Sequence, residues 1–208
     1  MSNIKENAIL NWLRNDLELK KVTALSAESV CLDIDISVQA NALLHKGLSP
    51  SDYFVILLES DLTYDAVRFL ARGLPRREAV WWSFLSAERY YKKVSGNRVD
   101  CALNLIEQWV YQPDEDKRYQ AYYYAEELEN DGPGYWAAMA VFWSGGSMTP
   151  LNSTPIATPD YLCSQAVAGA VMLAGLDKSG NGSNSEYAYI IKQGLAIANG
   201  ENARQITL

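Results

Sequence analysis

Apolar positions recur along most of this chain at intervals of three and four, the spacing that lines one face of an α-helix. Ile4, Ala8, Ile9, Trp12 and Leu13 predict a short amphipathic helix near the N-terminus. Residues 14–36 hold no clear period. Leu32-Asp33-Ile34-Asp35-Ile36 alternates as a strand does, yet no second strand-like run can pair with it, so it reads as an extended connection. A helix near residues 37–46 follows, with Gly47 as its C-cap. Ser49-Pro50-Ser51-Asp52 starts the next helix, which carries an apolar run over 53–58. Ser60 or Asp61 caps a further one, with Leu62, Ala66, Phe69 and Leu70 on one face and Gly73 at its end.

The helix predicted over 75–93 is the one the rest is arranged around. It opens with Leu74-Pro75-Arg76-Arg77-Glu78-Ala79-Val80-Trp81-Trp82. Proline suits a first helical position, but Arg76 and Arg77 place positive charge at the positive end of the helix dipole, offset in part by Glu78. Trp82, Leu85 and Arg89 share a face, and Trp81 lies about 100° around, so only one indole of the pair is central. Ser95-Gly96-Asn97 closes the helix, and 99–111 forms the next, with Leu103, Ile106, Trp109 and Val110 on one side. Pro113-Asp114-Glu115-Asp116 opens another, its acids where the dipole favours them. Asn130-Asp131-Gly132-Pro133-Gly134 has the residue types of a turn. Residues 135–143 are apolar all round, which predicts a central helix stopped by Ser144-Gly145-Gly146-Ser147. A long connection over 144–159 holds Pro150, Pro155 and Pro159; Thr158-Pro159-Asp160 caps a small-residue helix reaching 176. After a Gly/Ser/Asn loop over 179–185, a last helix runs to 198 and stops at Asn199-Gly200, leaving 201–208 as a loose tail. The expected fold is all-α: a compact array of antiparallel helical hairpins with about eight to ten helices, a single domain over 1–208, and no fixed repeat.

With 208 residues, 49% hydrophobic and 21% charged, the chain can bury roughly 70% of its unfolded surface. The net charge of −7 argues against nucleic acid and anionic membranes as partners. No signal peptide or membrane-length apolar run is read, so no membrane insertion and a cytoplasmic location are expected. Cys31, Cys101 and Cys163 are scattered and His45 is the only imidazole, which predicts buried thiols and neither metal nor cofactor. Charge is uneven. Arg68, Arg72, Arg76, Arg77, Arg89, Lys92, Lys93 and Arg98 crowd one segment, and Asp114, Glu115, Asp116, Glu126, Glu127, Glu129 and Asp131 another. The two segments either neutralise each other or present opposite faces to different partners.

Arg76 and Arg77 have two readings. They pin helices together through Glu59, Asp61 or Asp65, or they form a fork for an acidic partner with Glu78 beside them. Trp81, Trp82, Trp109, Trp136 and Trp143 read mostly as core, with one or two at a groove as interface anchors. On the acidic helix, Tyr119, Tyr122 and Tyr123 flank a stripe of Ala121, Ala125 and Leu128 and offer a tyrosine-rich face. Ser144–Ser147 carries no lysine and follows a helix, unlike a phosphate loop. His45 belongs to no catalytic pattern. No catalytic residue is assigned and a non-enzyme is expected; the partner-binding candidates are Arg76, Arg77, Glu78, Trp81, Trp82, Tyr119, Tyr122 and Tyr123.

Leu74–Trp82, Ala140-Val141-Phe142-Trp143-Ser144-Gly145-Gly146-Ser147 and Ala166-Val167-Ala168-Gly169-Ala170-Val171 resemble a poorly characterised family of bacterial proteins. Members of that family lie in or near type VI secretion gene clusters, sometimes beside genes for spike-tip and effector-loading proteins. The likeness spans residues 50–175 and brings no catalytic residues with it. It implies a cytoplasmic accessory role in secretion: a chaperone or co-chaperone that helps an adaptor hold an effector or its spike-tip protein. Two other readings stay open. One is an immunity protein whose acidic surface covers a toxin's basic site. The other is an enzyme whose site is assembled from scattered carboxylates with Tyr or Arg.

Overall fold

A computed structural model describes residues 17–94, 98–128, 132–176 and 180–206, and among these every regular element is helical. The N-terminal helix expected over 4–13 and the stop at Ser95-Gly96-Asn97 lie outside the described residues. The helices are α1 (Ala27–Cys31), α2 (Val38–Leu43), α3 (Pro50–Glu59), α4 (Thr63–Gly73) and α5 (Arg76–Val94). They continue as α6 (Arg98–Tyr111), α7 (Glu115–Glu127), α8 (Gly132–Phe142), α9 (Asp160–Ala174) and α10 (Asn184–Asn199), followed by one 3-10 turn, Ala203–Gln205.

Local chemistry sets several of the starts. Ser49 accepts a hydrogen bond from the Asp52 N–H with Pro50 in the first turn of α3, and Asp114 accepts from the Lys117 N–H at α7. Ser37 caps α2 in the same way through the Ala40 N–H. The connection over 32–36 pairs with no strand but is not extended throughout: Leu32 keeps helical angles, the Ile34 N–H closes a turn onto the Cys31 carbonyl, and Ile34 and Ile36 are half-buried.

Several boundaries differ from expectation. Neither Ser60 nor Asp61 caps α4; Asp61 takes a left-handed φ of 57°, and Leu62 holds the cap position with no side-chain bond. Gly47 does not end α2, which stops at Leu43; at φ 80° it turns the link to α3 and donates its N–H to Glu28 Oε2. Gly132, Pro133 and Gly134 form the first turn of α8, because a proline near a helix start needs no N–H partner. Thr158 faces away from α9 and donates its hydroxyl to the Gly145 carbonyl, so Pro159 occupies the cap. The described part of the tail, 201–206, is docked: Ala203 is 2% exposed and Arg204 pairs with Glu107 at 2.5 Å.

Three helices form the centre. α9 packs against α8, α5 and α4, while α5 also touches α6, α8 and α10. The all-apolar segment on α8 is central as expected, with Ala137, Ala138, Ala140 and Val141 fully buried. Successive helices pair through α3–α4, α5–α6 and α7–α8, but α10 packs chiefly on α5, where a predicted hairpin would set it on α9. The reason is Trp82, fully buried, whose indole N–H donates to the Ile190 carbonyl at 2.8 Å. A Cβ at Gly194 would stand 2.7 Å from Trp82 Cε2, so only glycine lets α10 approach this closely.

The connection after α8 folds back on itself. Ser147 and Ala157 form an antiparallel bridge, the Met148 N–H donates to the Ile156 carbonyl, and residues 150–157 are exposed. No helix among the described residues is long and apolar enough to cross a membrane.

Candidate functional site: the junction and cleft at the start of α5

The α5 N-terminus sends its first two arginines to different places. Arg76 leaves sideways: Nη1 donates to the Ser144 carbonyl at 2.9 Å and Nη2 to Asp160 Oδ1 at 2.5 Å. The internal partners expected for it, Glu59, Asp61 and Asp65, are not the ones used. Asp65 is buried and accepts both the N–H and the hydroxyl of Ser37, and Asp61 sits in an exposed turn. Arg76 is misplaced for its own helix dipole but stands next to the negative end of α8, and at α9 it meets the Asp160 carboxylate of the first turn.

A second arginine grips the same segment from α7. Arg118, 4% exposed, donates through Nη1 to the carbonyls of Phe142 (2.7 Å) and Ser147 (2.9 Å), and its Nε meets Glu115 at 2.6 Å. Gly146 turns beneath it at φ 62°, where a Cβ would lie 2.8 Å from Arg118 Nη2. Ser144-Gly145-Gly146-Ser147 is thus a helix stop clasped by two guanidiniums.

Arg77 forms no ion pair with any described residue and lines a cleft of about 380 Å³ with Lys21, Glu78, Trp81, Tyr111 and Glu201. Glu78 meets Lys21 at 3.2 Å, and the Lys21 N–H is held by the Ala198 carbonyl. Trp81 is half-buried, stacked on Phe84 with centroids 5.1 Å apart, edge-on to Tyr111 at 6.0 Å, with the Arg204 guanidinium 5.0 Å from its ring. The cleft can hold a carboxylate against Arg77 and an apolar group against the indole.

The eight candidates therefore separate. Arg77, Glu78 and Trp81 share the cleft, Arg76 belongs to the α8 junction, and Trp82 is spent inside the fold. Tyr119 and Tyr122 lie half-buried against Phe142, and Tyr123 is exposed at their edge. Burial, and then the nearby Glu126 carboxylate, raises the Tyr122 phenol above its ordinary range, so it stays neutral. Sequence reasoning missed Lys21, Tyr111 and Glu201, which reach the cleft from three other parts of the chain. The exposed aromatic ending α6 was the one local signal.

Among the described residues no three His, Cys, Asp or Glu side chains gather in a way that could hold a metal ion. No curated protein and no solved structure shows significant similarity to the chain. One family does match, from Tyr53 in α3 to Ala198 in α10, a span holding the α5 junction and one wall of the cleft. Over residues 53–198 the chain belongs to the family of unknown function DUF6931.

Proposed function

We propose that this chain is a cytoplasmic protein-binding accessory factor of type VI secretion, a chaperone or co-chaperone that helps load an effector or spike-tip protein. The cleft at the start of α5 is the surface it offers. One observation carries the reading: Arg77 stands there with no acidic partner among the described residues, beside half-buried Trp81 and exposed Tyr111. Arg, Trp and Tyr dominate binding energy at protein interfaces, and a free guanidinium selects a carboxylate. The partner is expected to bring an acidic residue next to an apolar one. The motifs that resemble the secretion-linked family supply the setting. On this reading the protein is a binder, not an enzyme, and uses no cofactor.

Affinity purification of the tagged chain from its native host, with Arg77→Glu as matched control, tests this. The unaltered chain should recover a secretion adaptor, effector or spike-tip protein, the variant should lose it, and deletion should reduce effector secretion. Recovery of none of these with secretion intact ends the reading. Recovery of a toxin, with self-intoxication on deletion, makes the protein an immunity factor instead. Exposed Asp116, Glu126 and Glu127 beside exposed Tyr123 on α7 favour that second reading, since an acidic face can occupy a basic site.

A further inference from the structure

Leu162, Gln165, Ala168, Gly169 and Met172 recur at three- and four-residue intervals along α9 and form one stripe. They are the floor of a groove of about 330 Å³. α9 packs against both α8 and α4, and each contributes a wall. Trp136 on α8 and Trp143 just beyond its last turn, two helical turns apart and both half-buried, supply one wall. Arg68 of α4, with Ile34 and Asp35 of the connection before α2, supplies the other.

The floor runs from Leu162 to Met172, ~15 Å at the rise of an α-helix, or roughly three turns. Its middle is low. Gly169 has no side chain, so the Trp136 ring packs directly onto the floor there; a Cβ would lie 3.2 Å from Trp136 Cδ2. Leu162 and Met172 rise at the ends, and methionine adapts readily to what it meets. Leu32 in the connection before α2 and Val38 at the start of α2 are also exposed apolar side chains, at 79% and 83%. Arg68 makes no ion pair with any described residue.

We propose that this groove docks an amphipathic helix of a partner protein. That helix presents two large apolar side chains to the indoles and one acidic residue to Arg68. The length and concavity fit a few turns of helix, and the tryptophans are anchors that lose little freedom on binding. The charge complementarity is specific: Arg68 selects an acid, and Asp35 on the same wall repels a second one and favours a base, which fixes the direction of the helix. The groove shares no lining residue with the cleft at the start of α5, so the two surfaces can be occupied together.

The test is selection of a displayed random 16-residue peptide library on the full chain. Enriched peptides should carry two large apolar residues one or two turns apart and an acidic residue. Labelled copies should bind with anisotropy changes weakened at least about tenfold by Arg68→Glu. Swapping the peptide's acid for lysine should restore binding to that variant. Gln165→Trp fills the groove from an exposed position without touching the core, and should abolish binding while circular dichroism stays native. Arg77→Glu should leave binding unchanged, which separates failure here from failure at the cleft. No enrichment, or enriched peptides indifferent to both Arg68→Glu and Gln165→Trp, overturns the proposal.

Discussion

Replacing Arg76 with alanine isolates the junction between α5 and α8. The substitution removes a bond to the Ser144 carbonyl at 2.9 Å and one to Asp160 at 2.5 Å. The ion pair is open to solvent, with side-chain exposures of 45% and 75%, so screening limits it to ~0.5 kcal/mol. The bond to the carbonyl after α8 contributes ~1 kcal/mol, a charged donor at the negative end of a helix discounted for exposure. Relief of a cation from the positive end of α5 returns ~0.5 kcal/mol. The net loss is ~1 kcal/mol, which lowers the melting temperature by about 2–4 °C in a chain of this size. Arg77→Ala breaks no described contact and relieves the same repulsion, so its melting temperature should match or slightly exceed that of the unaltered protein. Arg76→Lys keeps the charge but cannot fork between carbonyl and carboxylate, and should fall between the two. Thermal melts followed by far-UV circular dichroism read all three. The gap should narrow in high salt as the exposed pair is screened. Equal melting temperatures for Arg76→Ala and Arg77→Ala, or a larger loss in the second, refute the division of labour drawn between them.

Gly194→Ala should destabilise the protein, although alanine in a helix interior ordinarily stabilises by ~0.5–1 kcal/mol. Its methyl would meet Trp82 Cε2 at 2.7 Å and Leu70 Cδ2 at 2.9 Å, an overpacking that costs ~1–3 kcal/mol. A raised urea midpoint would show that the indole is not seated there. Burial pushes the Cys163 thiol from 9.0 up to about 12, against a smaller lowering from Arg76. The folded chain then keeps its proton where the unfolded chain loses it, so stability falls as pH rises above 9.0, by up to ~1.4 kcal/mol per unit. Cys163→Ala should flatten that slope in urea titrations across alkaline pH; an unchanged slope counts against a buried, protonated thiol.

The helices were legible where one local pattern decided them. Ser49-Pro50 and Asp114 announced their caps, and the all-apolar run of α8 announced its central place. That only one of Trp81 and Trp82 is central followed from helical geometry; that it is Trp82 is what the structure adds. What stayed hidden was set by distance along the chain. Arg76 finds its carboxylate 84 residues away, so nearby acids were natural but wrong guesses. The tail looked loose because nothing in 201–206 shows that Arg204 reaches Glu107 and the Trp81 ring. Gly132-Pro133-Gly134 reads as a turn until the first-turn tolerance for proline is applied. Half of the cleft was legible, namely the half carried on α5, and the groove over α9 was not, because its walls come from three separate segments.

The excursion between Ser147 and Ala157 has its stem closed by the Thr158 N–H on the Gly146 carbonyl and held from outside by Arg118 on the Ser147 carbonyl. Its tip, from Pro150 to Pro155, is exposed and carries none of that anchorage. Extra residues inserted there would add only loop entropy, ~0.6 kcal/mol for each doubling of length. The tip is therefore a site where the chain can be spliced: a tag, a reporter or a crosslinker arm placed there leaves the helical body, and both surfaces described above, as they stand.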